Sequence, residues 1–441
     1  MTPGLVPLHG IGGRQDLPLP FNVVLAAAAV ALVVSFVVLA AGWRRPRYTT
    51  TDDQMRLVRL THVVDSPGLR MTARIVGLAL FVWAMLALYL GGDVATNPIF
   101  GFVYVWVWVG LVPLTVLLGP FWSRLSPLRT LFVAGCRLAG ADPDRGILPL
   151  SPRVGVWPAA AGLVGFVWLE LVAPDRAGIP VLTLAIAGYI AFLAFGAVFY
   201  GQDWFAASDP FEVYCTTLAR LSVWDRSPDG FVVLRTPLTN LAALSPRPGL
   251  VVFVVVLLGS TAYDGFSNTL LWRSWVQQQP VPGPVIATVV LLGVITTILV
   301  TFLVATKLAQ RFSGAPLMGE PALFVHSLLP IALGYVTAHY LTLFWFEGQR
   351  TAILFSDPLS RGWNVFGTAG LQVDYGLATW PALVAVIQAG AVVVGHITGI
   401  VAAHDRALEL ASRRQATLGQ IPMLVVMVGY TLTGLALLFA Q

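Results

Sequence analysis

Residues 21–47 read FNVVLAAAAVALVVSFVVLAAGWRRPR: no charge from Phe21 to Trp43, then Arg44, Arg45 and Arg47. At a rise of 1.5 Å per residue a helix of this length crosses roughly 30 Å of hydrocarbon. Only helices and closed barrels satisfy every backbone polar group there, and an unbroken apolar run is not the alternating ten-residue pattern of a barrel strand. The arginines at its end mark the cytoplasmic side, so this first helix runs from outside to inside.

The same reading extends over the whole chain. Of 441 residues 57% are hydrophobic and 11% charged, against about 25% charged in soluble domains. Lipid must therefore be the solvent for much of the surface. Ten spans are expected, at roughly 21–43, 74–92, 99–121, 155–173, 179–200, 249–270, 285–306, 322–346, 380–403 and 421–440. Pro113 interrupts the third and Pro330 the eighth, each freeing a carbonyl one turn earlier. The Val103–Val109 stretch alternates like a strand, but its place inside a long apolar run makes it helix.

Alternation from the first helix places 21 of the 26 basic residues inside. Arg14, Arg176, Arg273, Arg350 and Arg361 fall outside. This bias supports both the even number of spans and an outside N-terminus and C-terminus. The expected organisation is an extracellular tail over 1–20 and a single transmembrane domain over 21–441. Its cytoplasmic loops are 44–73, 123–154, 201–248, 307–321 and 404–420, and its largest outer loop is 347–379. The tail has neither the basic start nor the apolar core of a signal peptide. No internal repeat is evident. Trp43, Trp122, Trp204, Trp272, Trp275 and Trp380 near span ends read as interfacial anchors. In the 201–248 loop, Asp209 as N-cap, Pro210 at the first helical position and Glu212 three residues after the cap start a helix. Leu218 and Leu221 of that stretch are expected on the membrane surface.

The net charge is +5, nearly all arginine, with Lys307 the single lysine. These charges sit in short loops rather than on one soluble face, which excludes a nucleic-acid partner and leaves the lipid bilayer as the partner. No protein partner is indicated. Arginine-heavy, alanine-rich usage points to a GC-rich bacterial genome, hence a bacterial plasma membrane. Cys136 and Cys215 lack C-x-x-C spacing and read as two inert thiols.

Ionisable side chains inside a span cost about 2.5–3.5 kcal/mol each and usually face the bundle interior. Depth sorts them into two groups. Asp264 lies about 22 Å and His339 about 25 Å above the inner face; with Tyr335 one turn before His339, and His9 and Asp16 in the tail, they form an outer group. His396 lies about 10 Å and His326 about 6 Å above the inner face; with His404 and Asp405 they form an inner group. A carboxylate and two imidazoles (Asp264, His339 and His9) can hold a divalent metal, copper or zinc, with an open position for water. Tyr335 or Tyr263 would orient a polarised oxygen. The same residues can instead pass protons or bind a translocated ion, or simply fix helix packing. No H-E-x-x-H or comparable spacing decides among these. Gly395 and Gly399 form a G-x-x-x-G for close helix contact.

A set of short motifs spans nearly the whole chain: His9-Gly10 leading to Arg14-Gln15-Asp16-Leu17-Pro18, Tyr263-Asp264-Gly265, Pro330-Ile331-Ala332, Ala338-His339-Tyr340, Gly348-Gln349, Ser356-Asp357-Pro358, Gly362-Trp363 with Phe366-Gly367-Thr368, Gly395-His396 and Ala403-His404-Asp405-Arg406-Ala407. In these the chain resembles a family of bacterial multi-pass membrane proteins often labelled fenitrothion hydrolase. The resemblance implies hydrolysis of an organophosphate triester and assigns no catalytic residues. It also implies a leader cleaved before His9, which would let that histidine chelate copper through its amine and imidazole; eight residues precede His9 here. The expectation is therefore an all-α bundle of about ten transmembrane helices. Its function is membrane-embedded hydrolysis by Asp264, His339 and Tyr335 with a metal, or secondary transport of an ion or small solute, or a non-catalytic membrane subunit.

Overall fold

The structure, a computed structural model, describes residues 13–48 and 55–440. Among the described residues ten helices are long and apolar enough to cross a membrane: α1 Phe21–Gly42, α2 Pro67–Leu90, α3 Pro98–Leu118, α4 Pro152–Leu171, α5 Ile179–Tyr200, α6 Leu250–Ser267, α7 Gly283–Ser313, α8 Pro321–Leu354, α9 Pro381–Leu410 and α10 Arg413–Leu438. The protein is an all-α polytopic membrane protein.

The helices run past the apolar spans. Hydropathy marks only the part that lies in hydrocarbon; the ends are set by caps. Thus α2 starts seven residues ahead of its expected span, where the Ser66 side chain accepts from the Leu69 amide and Pro67 occupies the first turn. Helix α7 carries Lys307 and Arg311 as helix and stops at Gly314, whose φ of 67° is the left-handed conformation glycine adopts freely. Helices α9 and α10 are separated by Ala411 and Ser412 alone.

Two compact units make up the chain. The first holds the described part of Met1–Tyr48 with Val254–Arg350 and Gln372–Gln441, and so α1, most of α6, α7, α8 to Arg350, α9 and α10. The second holds the described part of Thr49–Phe253 with Thr351–Leu371, and so α2 to α5. In the first unit α6 and α8 are the enclosed helices, 72% of each apolar window being buried against 17% for α7. Where α8 crosses α9 the backbones nearly touch: a Cβ on Gly334 would lie 2.4 Å from the Ala391 carbonyl oxygen, one on Gly395 2.5 Å from that of Pro330, and one on Gly399 2.6 Å from that of Ser327. The expected G-x-x-x-G contact is present. Pro330 lies in the first turn after a 3₁₀ segment, Val325–Ser327, that breaks α8 near its start.

In the second unit, Phe102–Gly110 of α3 is a π-helix. The alternating aromatic and valine residues are helical, as expected, but wound more loosely than an α-helix. Pro113 can donate to neither Trp108 nor Val109, and the Tyr214 hydroxyl donates to the Trp108 carbonyl instead (3.4 Å). The 201–248 segment contains the helices Asp203–Ser208, Pro210–Leu218 and Pro237–Ala242, and an antiparallel pair, β1 Trp224–Arg226 and β2 Val232–Leu234, with Asp225 opposite Val233. Asp209 caps Pro210–Leu218, its side chain accepting from the Phe211 amide. Leu218, at the end of that helix, and Leu221, just after it, are buried rather than exposed, the helix packing against α4 and the end of α3.

The α8–α9 crossing is open to a direct test. Gly395→Ala should lower stability in detergent by about 1–3 kcal/mol, the usual cost of overpacking. Gly390→Ala on the same helix, where a Cβ meets nothing within 4 Å, should be neutral or mildly stabilising. Thermal unfolding of the two variants beside wild type reads the difference.

Candidate functional site

Asp264 stands in the last turn of α6. A helix C-terminus carries partial negative charge, so a carboxylate there needs donors to hold it. The fold provides them from two sides. His339 Nε2 of α8 lies 2.9 Å from Asp264 Oδ2, and the Tyr340 hydroxyl donates to the same oxygen at 2.9 Å. From beyond the helix end, Asn268 Nδ2 donates to Asp264 Oδ1 (3.1 Å) and to the Asp264 carbonyl (3.0 Å), and Arg273 donates to Asn268 Oδ1 (3.0 Å). Adjacent residues of a helix point about 100° apart, yet both His339 and Tyr340 reach one carboxylate, because Asp264 sits where α6 faces α8. His339 is 3% and Asp264 8% exposed, so the pair is enclosed but touches the surface through the carboxylate.

Tyr335 stacks on His339, ring centroids 6.2 Å apart at 21°. Gly265 and Gly434 make room for it: a Cβ on the first would sit 3.1 Å from its hydroxyl oxygen, and on the second 3.2 Å from its ring. The Tyr335 hydroxyl is buried and has no hydrogen-bond partner among the described residues. Tyr263 points away, edge-on to Trp272 at 6.0 Å. Asp16 accepts from the Gly13 amide (2.7 Å) and so caps its own turn. His9 lies outside the described residues.

The inner group does not gather into one site. His326 Nε2 reaches the Ala402 carbonyl at 3.3 Å, tying the start of α8 to α9. His396 Nδ1 donates to Val392 of its own helix at 2.8 Å. His404 Nδ1 donates to Gln420 Oε1 of α10 at 3.0 Å and meets Phe36 edge-on. Asp405 accepts from Trp43 Nε1 (3.1 Å) and the Arg47 and Tyr48 amides (2.7 and 3.1 Å). It anchors the chain leaving α1, and with it Trp43, which had read as an interfacial anchor.

Metal fit can be judged from the donor set. Among the described residues no three His, Cys, Asp or Glu side chains come together to hold an ion. Asp264 and His339 supply two ligands and would need a third.

A second buried polar cluster, missed from the sequence, lies in the other unit. Asp209 is fully buried and accepts from Trp122 Nε1, the Tyr189 hydroxyl and the Phe211 amide, each at 2.9 Å. Next to it Arg129 clasps both oxygens of Glu212 (2.7 and 2.9 Å) and lies over the Phe205 ring. The sequence marks Asp209 and Glu212 only as the start of a helix; their burial comes from tertiary packing, which that local pattern does not carry. The N–H of Trp122, one of the tryptophans near span ends, is taken up by Asp209. Cys215 is buried, its thiol pushed up to about 12 by that burial and bonded by the Thr115 hydroxyl, which suits an inert role.

Burial raises the Asp209 carboxyl from 3.8 to about 6, with neighbouring Glu212 raising it further and the Trp122 and Tyr189 donors opposing. Between those two values the folded form holds a proton that the unfolded chain has released. The stability that Asp209 contributes therefore falls as pH rises from about 4 to about 6 and levels off above. Asp209→Asn should remove that decline, so that denaturation midpoints of the two proteins across this pH range diverge; parallel curves would rule the effect out.

No family model, curated protein or solved structure matches the chain. The geometry establishes a polytopic all-α membrane protein with buried histidine and aspartate side chains.

Proposed function

We propose that this chain is a membrane permease in which Asp264, His339 and Tyr340 hold one exchangeable proton coupled to movement of an ion or small solute. The observation that carries the reading is the 2.9 Å carboxylate–imidazole pair between the two most enclosed helices of its unit. With one proton shared, the pair is neutral overall, the cheapest state in a low-dielectric interior. Adding or removing a proton leaves a net charge that neighbouring helices must accommodate, so protonation and helix arrangement are linked. The Tyr340 hydroxyl and the Asn268 amide both donate to the Asp264 carboxylate.

Organophosphate ester hydrolysis, which the sequence resemblance implies, is the second reading. It requires a divalent metal on Asp264 and His339 with a third ligand, for which His9 in the tail is the candidate, and with Tyr335 as the orienting hydroxyl. Placement in a bacterial plasma membrane, with both termini outside, accompanies either reading.

Proteoliposomes enclosing a pH-reporting dye separate these readings. Under an inside-negative potential, wild type should acidify the lumen faster than protein-free vesicles. Asp264→Asn and His339→Gln should reduce that rate about tenfold, and Tyr340→Phe less. Equal rates in wild type and Asp264→Asn would sink the permease reading. One equivalent of copper or zinc in purified wild type, lost in both Asp264→Asn and His339→Ala, would favour the hydrolase.

A further inference from the structure

The second unit forms a half-open apolar cavity of about 540 Å³. Its wall comes from α2, α3, α4 and α5, and it closes on Phe121, Trp122, Pro210 and Phe211. Along α5 it extends from Leu182 to Phe192, about 15 Å at 1.5 Å per residue, or half of a roughly 30 Å hydrocarbon layer. That is the reach of one acyl chain from one leaflet.

The wall selects for a chain rather than a headgroup. At the closed end the polar groups are Trp122 Nε1 and the Tyr189 hydroxyl, and both already donate to Asp209. The sides are mainly leucine, isoleucine, valine, phenylalanine and glycine, with Trp106, Met85 and alanines among them. Gly165 of α4 and Gly188 of α5 line the space, and a Cβ on either meets nothing within 4 Å. A dry apolar space of this size forfeits dispersion contacts when empty, and it offers water too few polar partners. In a protein with ten membrane-crossing helices, the surrounding medium that can fill it is lipid.

We propose that this cavity binds one acyl chain of a membrane phospholipid, inserted tail first toward Trp122 and Tyr189. The site is distinct from the Asp264–His339 cluster and does not depend on how that cluster works. Asp209 acts as a positioning residue, setting the rings that close the pocket.

The test uses the full chain in phosphatidylcholine vesicles containing a phosphatidylglycerol with a photoreactive diazirine in its acyl chain. Crosslinks should concentrate in residues 77–85 and 162–169 and be displaced by excess unlabelled phosphatidylglycerol. Gly165→Phe and Gly188→Phe should cut this labelling about tenfold, leaving that of Val34 and Val38, exposed on α1, unchanged. Gly188→Leu supplies a smaller plug should the phenylalanine variants fail to fold. Cavity labelling no denser than at Val34 and Val38, or unchanged in a folded plugged variant, would mean ordinary lipid contact and overturn the proposal.

Discussion

A peptide group in hydrocarbon has no water to bond, so each must find its partner within the protein. In this chain that requirement forces ten long helices, and the polar side chains that remain at membrane depth are satisfied either along their own helix, as His396 is by Val392, or between helices. The Asp264–His339–Tyr340 contact is one solution, made where the end of α6 meets α8. The α8–α9 crossing is the complementary one, where glycines bring main chains together and His326 and Gln388 each reach a carbonyl of the other helix.

The helix count was readable because a span announces itself by length and lack of charge. Helix ends were not, since a helix continues through Lys307, Arg311 or Arg413 as readily as through leucine once it has left hydrocarbon. Depth arithmetic gives Asp264 and His339 similar heights, and the structure has them in contact. It failed to distinguish members of the inner group, because height is one coordinate and direction around the helix axis another. His396 turns back on its own helix while His404 turns to α10.

Tyr340 and Asn268 were invisible as partners of Asp264 for a different reason. A tyrosine beside a histidine, or an asparagine just past a helix end, carries no periodic signal; only the approach of α6 to α8 gives them a role. The Asp209 cluster was hidden further. Its residues come from α5, from Trp122 and from a segment whose composition reads as water-exposed. Burial there is produced by tertiary packing of Pro210–Leu218, which no local pattern encodes.

The Asp405 anchor has a consequence for biogenesis. The residues it holds, Trp43, Arg47 and Tyr48, lie 362, 358 and 357 positions earlier in the chain. Translation delivers α1 long before α9, so its exit stays without this carboxylate until the intervening helices have been made. Final seating of the first helix is therefore a late event in assembly, and a ribosome-stalled chain ending before α9 would carry α1 inserted but not yet fastened.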